Sequence, residues 1–104
     1  MKEVIQQQVD EIVVALNEGK TAADFAEAAT RDPYVFIMEA SGTLLVHPTL
    51  AGQSLKEKAE PVYQEVAKGT PEGQWVKYEW QGATKSTYTR QTQSGLIVGS
   101  GYTE

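Results

Sequence analysis

The chain has 104 residues, 40% hydrophobic and 22% charged, a balance that supports one folded core and excludes wholesale disorder. Fourteen acidic residues against nine basic ones leave a net charge of −5, which argues against a nucleic-acid backbone as partner. The absence of cysteine excludes disulfides and a thiolate nucleophile, and a single histidine gives no reason to expect a metal or cofactor.

Lys2–Asn17 reads as a helix, because Ile5, Val9, Ile12 and Leu16 recur at steps of four, three and four. Val4 and Val13 widen this stripe and Gly19 supplies a stop. The stripe either docks on the rest of the chain, the favoured reading, or forms the seam of a homodimer. Thr21 with Asp24 resembles a capping box that opens an alanine-rich turn reaching Ala29, and Asp32-Pro33 ends it. Two short strands are expected next, Tyr34–Glu39 and Thr43–His47, joined by Ala40-Ser41-Gly42. Pro48 stops the second and leaves the His47 imidazole where a loop begins.

Ser54 and Glu57 form another capping signature, and a helix restarts at Pro61 and runs to Lys68 before Gly69. The last third reads as a meander of three strands, Gln74–Trp80, Thr84–Gln91 and Leu96–Tyr102. Alternation puts Val76, Tyr78 and Trp80 on one face of the first of these, with Trp75, which is expected on the outer surface or at a dimer contact, on the other. On the second it separates Ser86, Tyr88 and Arg90 from Lys85, Thr87 and Thr89. Gly99 and Gly101 suit a close approach to the backbone. No run reaches membrane-spanning length and no apolar signal core follows Met1, so no direct membrane contact is expected of this chain.

A long helix, a strand pair, a helical segment and a three-strand meander make up a PAS-like order of elements. The residues also resemble the single Cache sensor domains. Tyr34–Pro48 with Gly52-Gln53-Ser54-Leu55 resembles that family's turn, His-Pro and Gly-x-x-Leu stretch. Pro61-Val62-Tyr63, the run Gly73–Trp80, Lys85-Ser86-Thr87-Tyr88 and Gly95–Tyr102 follow in the same order. The likeness covers about residues 30–102. Glu39-Ala40-Ser41 departs slightly from the family pattern, and the membrane helices that flank family members are not part of this sequence.

The resemblance implies an α+β fold: a five-stranded antiparallel PAS-like sheet, a long N-terminal helix, and a helix-loop segment covering the sheet. One domain is expected over residues 1–104, with 1–30 as a helical region and 31–104 as the PAS-like core. It also implies a non-catalytic, extracytoplasmic sensor for signal transduction or chemotaxis, taking a small carboxylate or an amino acid beneath segment 48–72.

Val76, Tyr78, Trp80, Ser86, Tyr88 and Arg90 are expected to share the face of that pocket. His47 would donate from the rim or else cap the loop backbone. Tyr78 and Tyr88 would hydrogen-bond, and Trp80 and Met38 would wall the cavity. Lys85 or Arg90 would supply the positive charge; the family's usual lysine favours the former, and the face shared with Tyr88 favours the latter. Two rival readings are an interaction module with a filled core and, ranked last, a small enzyme pairing His47 with Glu39 as base and acid.

Overall fold

In the computed structural model, which describes residues Met1–Glu104, helix α1 spans Lys2–Asn17. Its buried side chains are Ile5, Val9, Ile12, Val13 and Leu16, whereas Val4 is exposed and does not belong to the stripe. A 16-residue helix is only marginally stable alone, so docking holds it: each fully buried aliphatic side chain contributes about 1.5–3 kcal/mol. The helix stops where Gly19 takes a φ of +111° and the Lys20 N–H bonds back to the Ala15 carbonyl at 3.0 Å. Ala22–Thr30 is a 3-10 segment, opened by the Asp24 carboxylate accepting from the Thr21 N–H at 2.9 Å.

The strands are β1 (Val35–Met38), β2 (Leu44–Val46), β3 (Gln74–Trp80), β4 (Ala83–Gln91) and β5 (Ile97–Thr103). They form one antiparallel sheet in the order β2-β1-β5-β4-β3. Between β2 and β3 lie α2 (Leu55–Lys58) and α3 (Glu60–Val66), the latter starting one residue before Pro61. This is the α+β, PAS-like arrangement expected, with a long leading helix and a helical segment over the sheet.

Both faces of the sheet are covered, which explains why every residue of β1 is buried. Val35 and Ile37 join α1 in one cluster with Val98 and Tyr88. Phe36 and Met38 point the other way, into a second cluster with Leu44, Leu55, Val62, Val66 and Ile97. A register shift between Ile37 and Met38 lets Leu44 and Val46, two residues apart on β2, serve opposite clusters.

Alternation alone misassigned β4. Gln81 and Gly82 both have positive φ, 52° and 82°, and form a two-residue hairpin loop that pairs Trp80 with Ala83. Tyr78 therefore lies opposite Lys85, and Trp75 opposite Tyr88. Directly opposed residues share a face, so Ser86, Tyr88 and Arg90 sit on the α1 side and Lys85, Thr87 and Thr89 on the side of Tyr78 and Trp80. Trp75 is not a bare outer residue: it is 5.5 Å from the Tyr88 ring centroid and packs against the α1 cluster, with the Lys2 ammonium 5.1 Å from its own.

Candidate functional site

A cleft opens between the sheet and the α2–α3 segment. Tyr34 and Phe36 of the β1 side, Tyr78 and Trp80 of β3 and Lys85 of β4 form its sheet wall. Leu55, Val62 and Val66 face them from the short helices, with Leu44 and His47 completing the lining. The helices are positioned by local chemistry: the Ser54 hydroxyl accepts from the Glu57 N–H at 3.2 Å, and the Leu55 N–H donates to the Gly42 carbonyl at 2.8 Å. Tyr63 adds a hydrogen bond to the Ala40 carbonyl at 2.7 Å, which ties α3 to the β1–β2 turn.

Close packing of β5 sets the floor. A Cβ on Gly99 would lie 2.4 Å from Cζ of Phe36, so only glycine leaves room for that ring against the strand. The space in the cleft is about 20 Å³, room for a single water. A larger hollow of about 230 Å³ adjoins it, sharing Tyr34 and Lys85 and continuing to Asp32, Gly101 and Tyr102.

Lys85 is the unusual group. It is 9% exposed, and no ion pair of the chain includes it. Its ammonium donates to the Tyr34 hydroxyl at 2.9 Å and lies 4.5 Å from that ring's centroid. An ammonium carries three donors, so this cation has hydrogen-bonding capacity to spare in a mostly apolar setting.

His47 uses Nδ1 to accept from the N–H groups of Thr49 and Leu50, at 3.1 and 3.0 Å, so it does cap the loop backbone. The ring also lines the cleft, edge-on to Tyr34 with centroids 5.5 Å apart. Burial, reinforced by the Lys85 charge, holds its pKa down to about 4, so it is neutral at pH 7. Burial pushes the Tyr78 phenol up to about 12, only partly opposed by its 2.7 Å hydrogen bond with the Thr87 hydroxyl.

Of the residues singled out from sequence, His47, Tyr78, Trp80 and Lys85 come together here. Met38 does not line the cleft: it is fully buried in the cluster behind it. Tyr88 and Arg90 are on the opposite face of the sheet. The Tyr88 hydroxyl donates to Asp10 of α1 at 3.1 Å and to the Glu72 carbonyl at 3.2 Å. Arg90 pairs with the same Asp10 carboxylate at 2.9 Å and donates to the Pro71 carbonyl. Burial, then the Asp10 charge, raises the Tyr88 pKa. These two residues fasten α1 to β4, and of the two cations only Lys85 lines the cleft.

Glu39, the suggested acid partner of His47, is exposed and outside the cleft. Tyr34, Phe36, Leu44, Leu55, Val62 and Val66 line it without having been named. Tyr34 and Phe36 were within reach of sequence reasoning, because they share β1 parity with Met38. No helix is long and apolar enough to cross a membrane, and no cluster of His, Asp or Glu is arranged to hold a metal ion.

Neither the family models nor the curated proteins give a match to this chain. Among solved structures, one described as "the ligand binding domain of Mlp24 with asparagine" has a similar fold, with a TM-score of 0.55 at 15% identity. The match covers 81% of this chain but 35% of the other, so the chain spans about a third of that structure's length.

Proposed function

We propose that this chain is a non-catalytic sensor domain of the single Cache type that binds a small organic anion in the cleft under α2 and α3. The observation that carries the reading is the buried Lys85 ammonium, which has one protein hydrogen bond and no counter-charge. A ligand carboxylate would supply that counter-charge and accept the remaining donors. Tyr78 and His47 would contribute polar contacts, and Trp80 with Phe36 and the short helices would hold the apolar part. The fold-sharing structure with asparagine bound supports a small-molecule ligand, and the sequence resemblance supports an extracytoplasmic setting and a role in signalling.

The space in the cleft is too small for such a ligand, so binding there would require α2 and α3 to move off the sheet. That requirement gives the mechanism: the ligand prefers the open arrangement, and its differential affinity shifts the population. α1 would read the change through the sheet, to which Asp10, Tyr88 and Arg90 couple it.

Thermal-shift screening against short carboxylates and amino acids tests the proposal. A binder at a hundred times its dissociation constant stabilises by about 2.7 kcal/mol. Lys85→Met should abolish the shift, and Val62→Phe, which fills the cleft, should reduce it. The narrowness of the cleft favours one rival reading, an interaction module whose interior is simply filled. No stabilisation by any anion, with Lys85→Met folding as well as the wild type, would decide for that rival.

A further inference from the structure

We infer that the free edge of β3 pairs with the same strand of a second copy of this chain, antiparallel and about a two-fold axis at Tyr78, so that one sheet runs through both copies. The fold treats the two edges of its sheet differently. At β2 the Leu44 N–H donates to the Gln53 carbonyl at 2.9 Å, and the Leu44 carbonyl accepts from the Gly52 N–H at 2.7 Å, so the following loop closes that edge. β3 ends the sheet on the other side. The two-residue hairpin makes Trp80 and Ala83 a hydrogen-bonded pair, and alternation from there turns the N–H and C=O groups of Trp75, Lys77 and Glu79 away from β4. None of the backbone hydrogen bonds made by turns and loops reaches those groups. No proline, glycine or bulge blunts the strand, whose register with β4 is unbroken from Gln74 to Trp80. Lys77 and Glu79 are exposed along it.

The side chains select the partner. With the axis at Tyr78, Lys77 of each copy stands directly opposite Glu79 of the other, and each such pair exchanges two backbone hydrogen bonds. On the other face Trp80 meets the second copy's Val76 and the two Tyr78 side chains adjoin, aromatic and branched pairs of the kind that stabilise antiparallel strands. Moving the axis by one residue sets Lys77 against Lys77 or Glu79 against Glu79, so charge fixes the register. Within the chain Lys77 pairs with Glu104 at 3.1 Å and Glu79 accepts from the Thr84 hydroxyl, exposed contacts that compete only weakly. The apolar stripe of α1 is buried in its own domain and takes no part. Tyr78 and Trp80 also line the cleft, so the pairing brings the two clefts edge to edge. One strand pair buries less than a standard interface, which makes the dimer weak and reversible.

Sedimentation equilibrium of the wild-type protein, from about 10 µM to about 1 mM, should show a monomer–dimer equilibrium, the range expected of a small interface. Lys77→Glu and Glu79→Lys each set like charges opposite one another and should weaken self-association about tenfold or more. Mixing the two single variants restores opposite charges at both pairs, so the mixture should associate as tightly as the wild type. A wild type that stays monomeric throughout the range overturns the inference. Self-association that both variants retain, or that mixing fails to restore, overturns it equally. Hydrogen exchange followed by NMR gives a second readout: the Lys77 and Glu79 amides should exchange more slowly as the protein concentration rises. Exchange at those amides that is independent of concentration overturns the edge pairing.

Discussion

Replacing Gly99 by alanine should close the cleft from below. The added Cβ would sit 2.4 Å from Cζ and 2.6 Å from Cε2 of Phe36, where ordinary contact begins near 3.4 Å, so the ring must retreat by about 1 Å. Phe36 is 6% exposed and packed among Met38, Leu44, Leu55, Val62, Val66 and Ile97, so it has little free space apart from the cleft it borders. Overpacking of this kind costs about 1–3 kcal/mol. For a domain of this length, a loss of about 2 kcal/mol lowers Tm by roughly 10 °C.

Urea unfolding followed by circular dichroism, on Gly99→Ala, Phe36→Leu and the double variant, measures the effect. Leucine reaches less far over the strand, so the alanine should cost less in its presence, with a coupling of about 1 kcal/mol or more. The reasoning is refuted if the two changes add to within about 0.3 kcal/mol, or if Gly99→Ala is as stable as the wild type. In the same variant, affinity for any carboxylate that binds the wild type should fall, because the displaced ring occupies the ligand's space.

Arg90→Met should destabilise by about 1 kcal/mol, since the Asp10 pair is only partly shielded from water, yet leave carboxylate affinity unchanged; urea titration and calorimetry separate the two effects. His47 predicts a pH dependence of stability. Its folded pKa of about 4 lies below the ordinary 6.5, so the unfolded chain takes up the proton first on acidification. The contribution is complete above pH 6.5 and drains away as the pH falls toward 4, amounting to about 1–2 kcal/mol after allowance for a half-buried ring. Unfolding curves across that range should be flatter for His47→Gln, whose amide oxygen can still accept from the loop, and an equal slope in both proteins would count against the assignment.

How far the chain could be read in advance depended on whether a feature was local. The bounds of α1 follow from its own periodicity and from Gly19, so they were legible. The Ser54 cap and the alternation along β1 and β3 were legible for the same reason. The faces of β4 were not. Alternation says which residues of one strand go together, but only pairing says which face of the next strand they join. The strand bounds Gln74–Trp80 and Thr84–Gln91 leave three residues between them, a spacing that moves Tyr88 and Arg90 to the wrong side; the two-residue loop at Gln81-Gly82 places them correctly.

The amino-acid sequence by itself determined which segments become helix or strand, and it put a lysine, a histidine and several aromatics on strands near one another. The tertiary structure alone decided that Lys85 is enclosed without a counter-charge, whereas Arg90 is neutralised by Asp10, eighty residues away along the chain. The physical reason is that burial and charge pairing belong to neighbours in space, and those neighbours are chosen by a two-residue hairpin and by the face on which α1 docks.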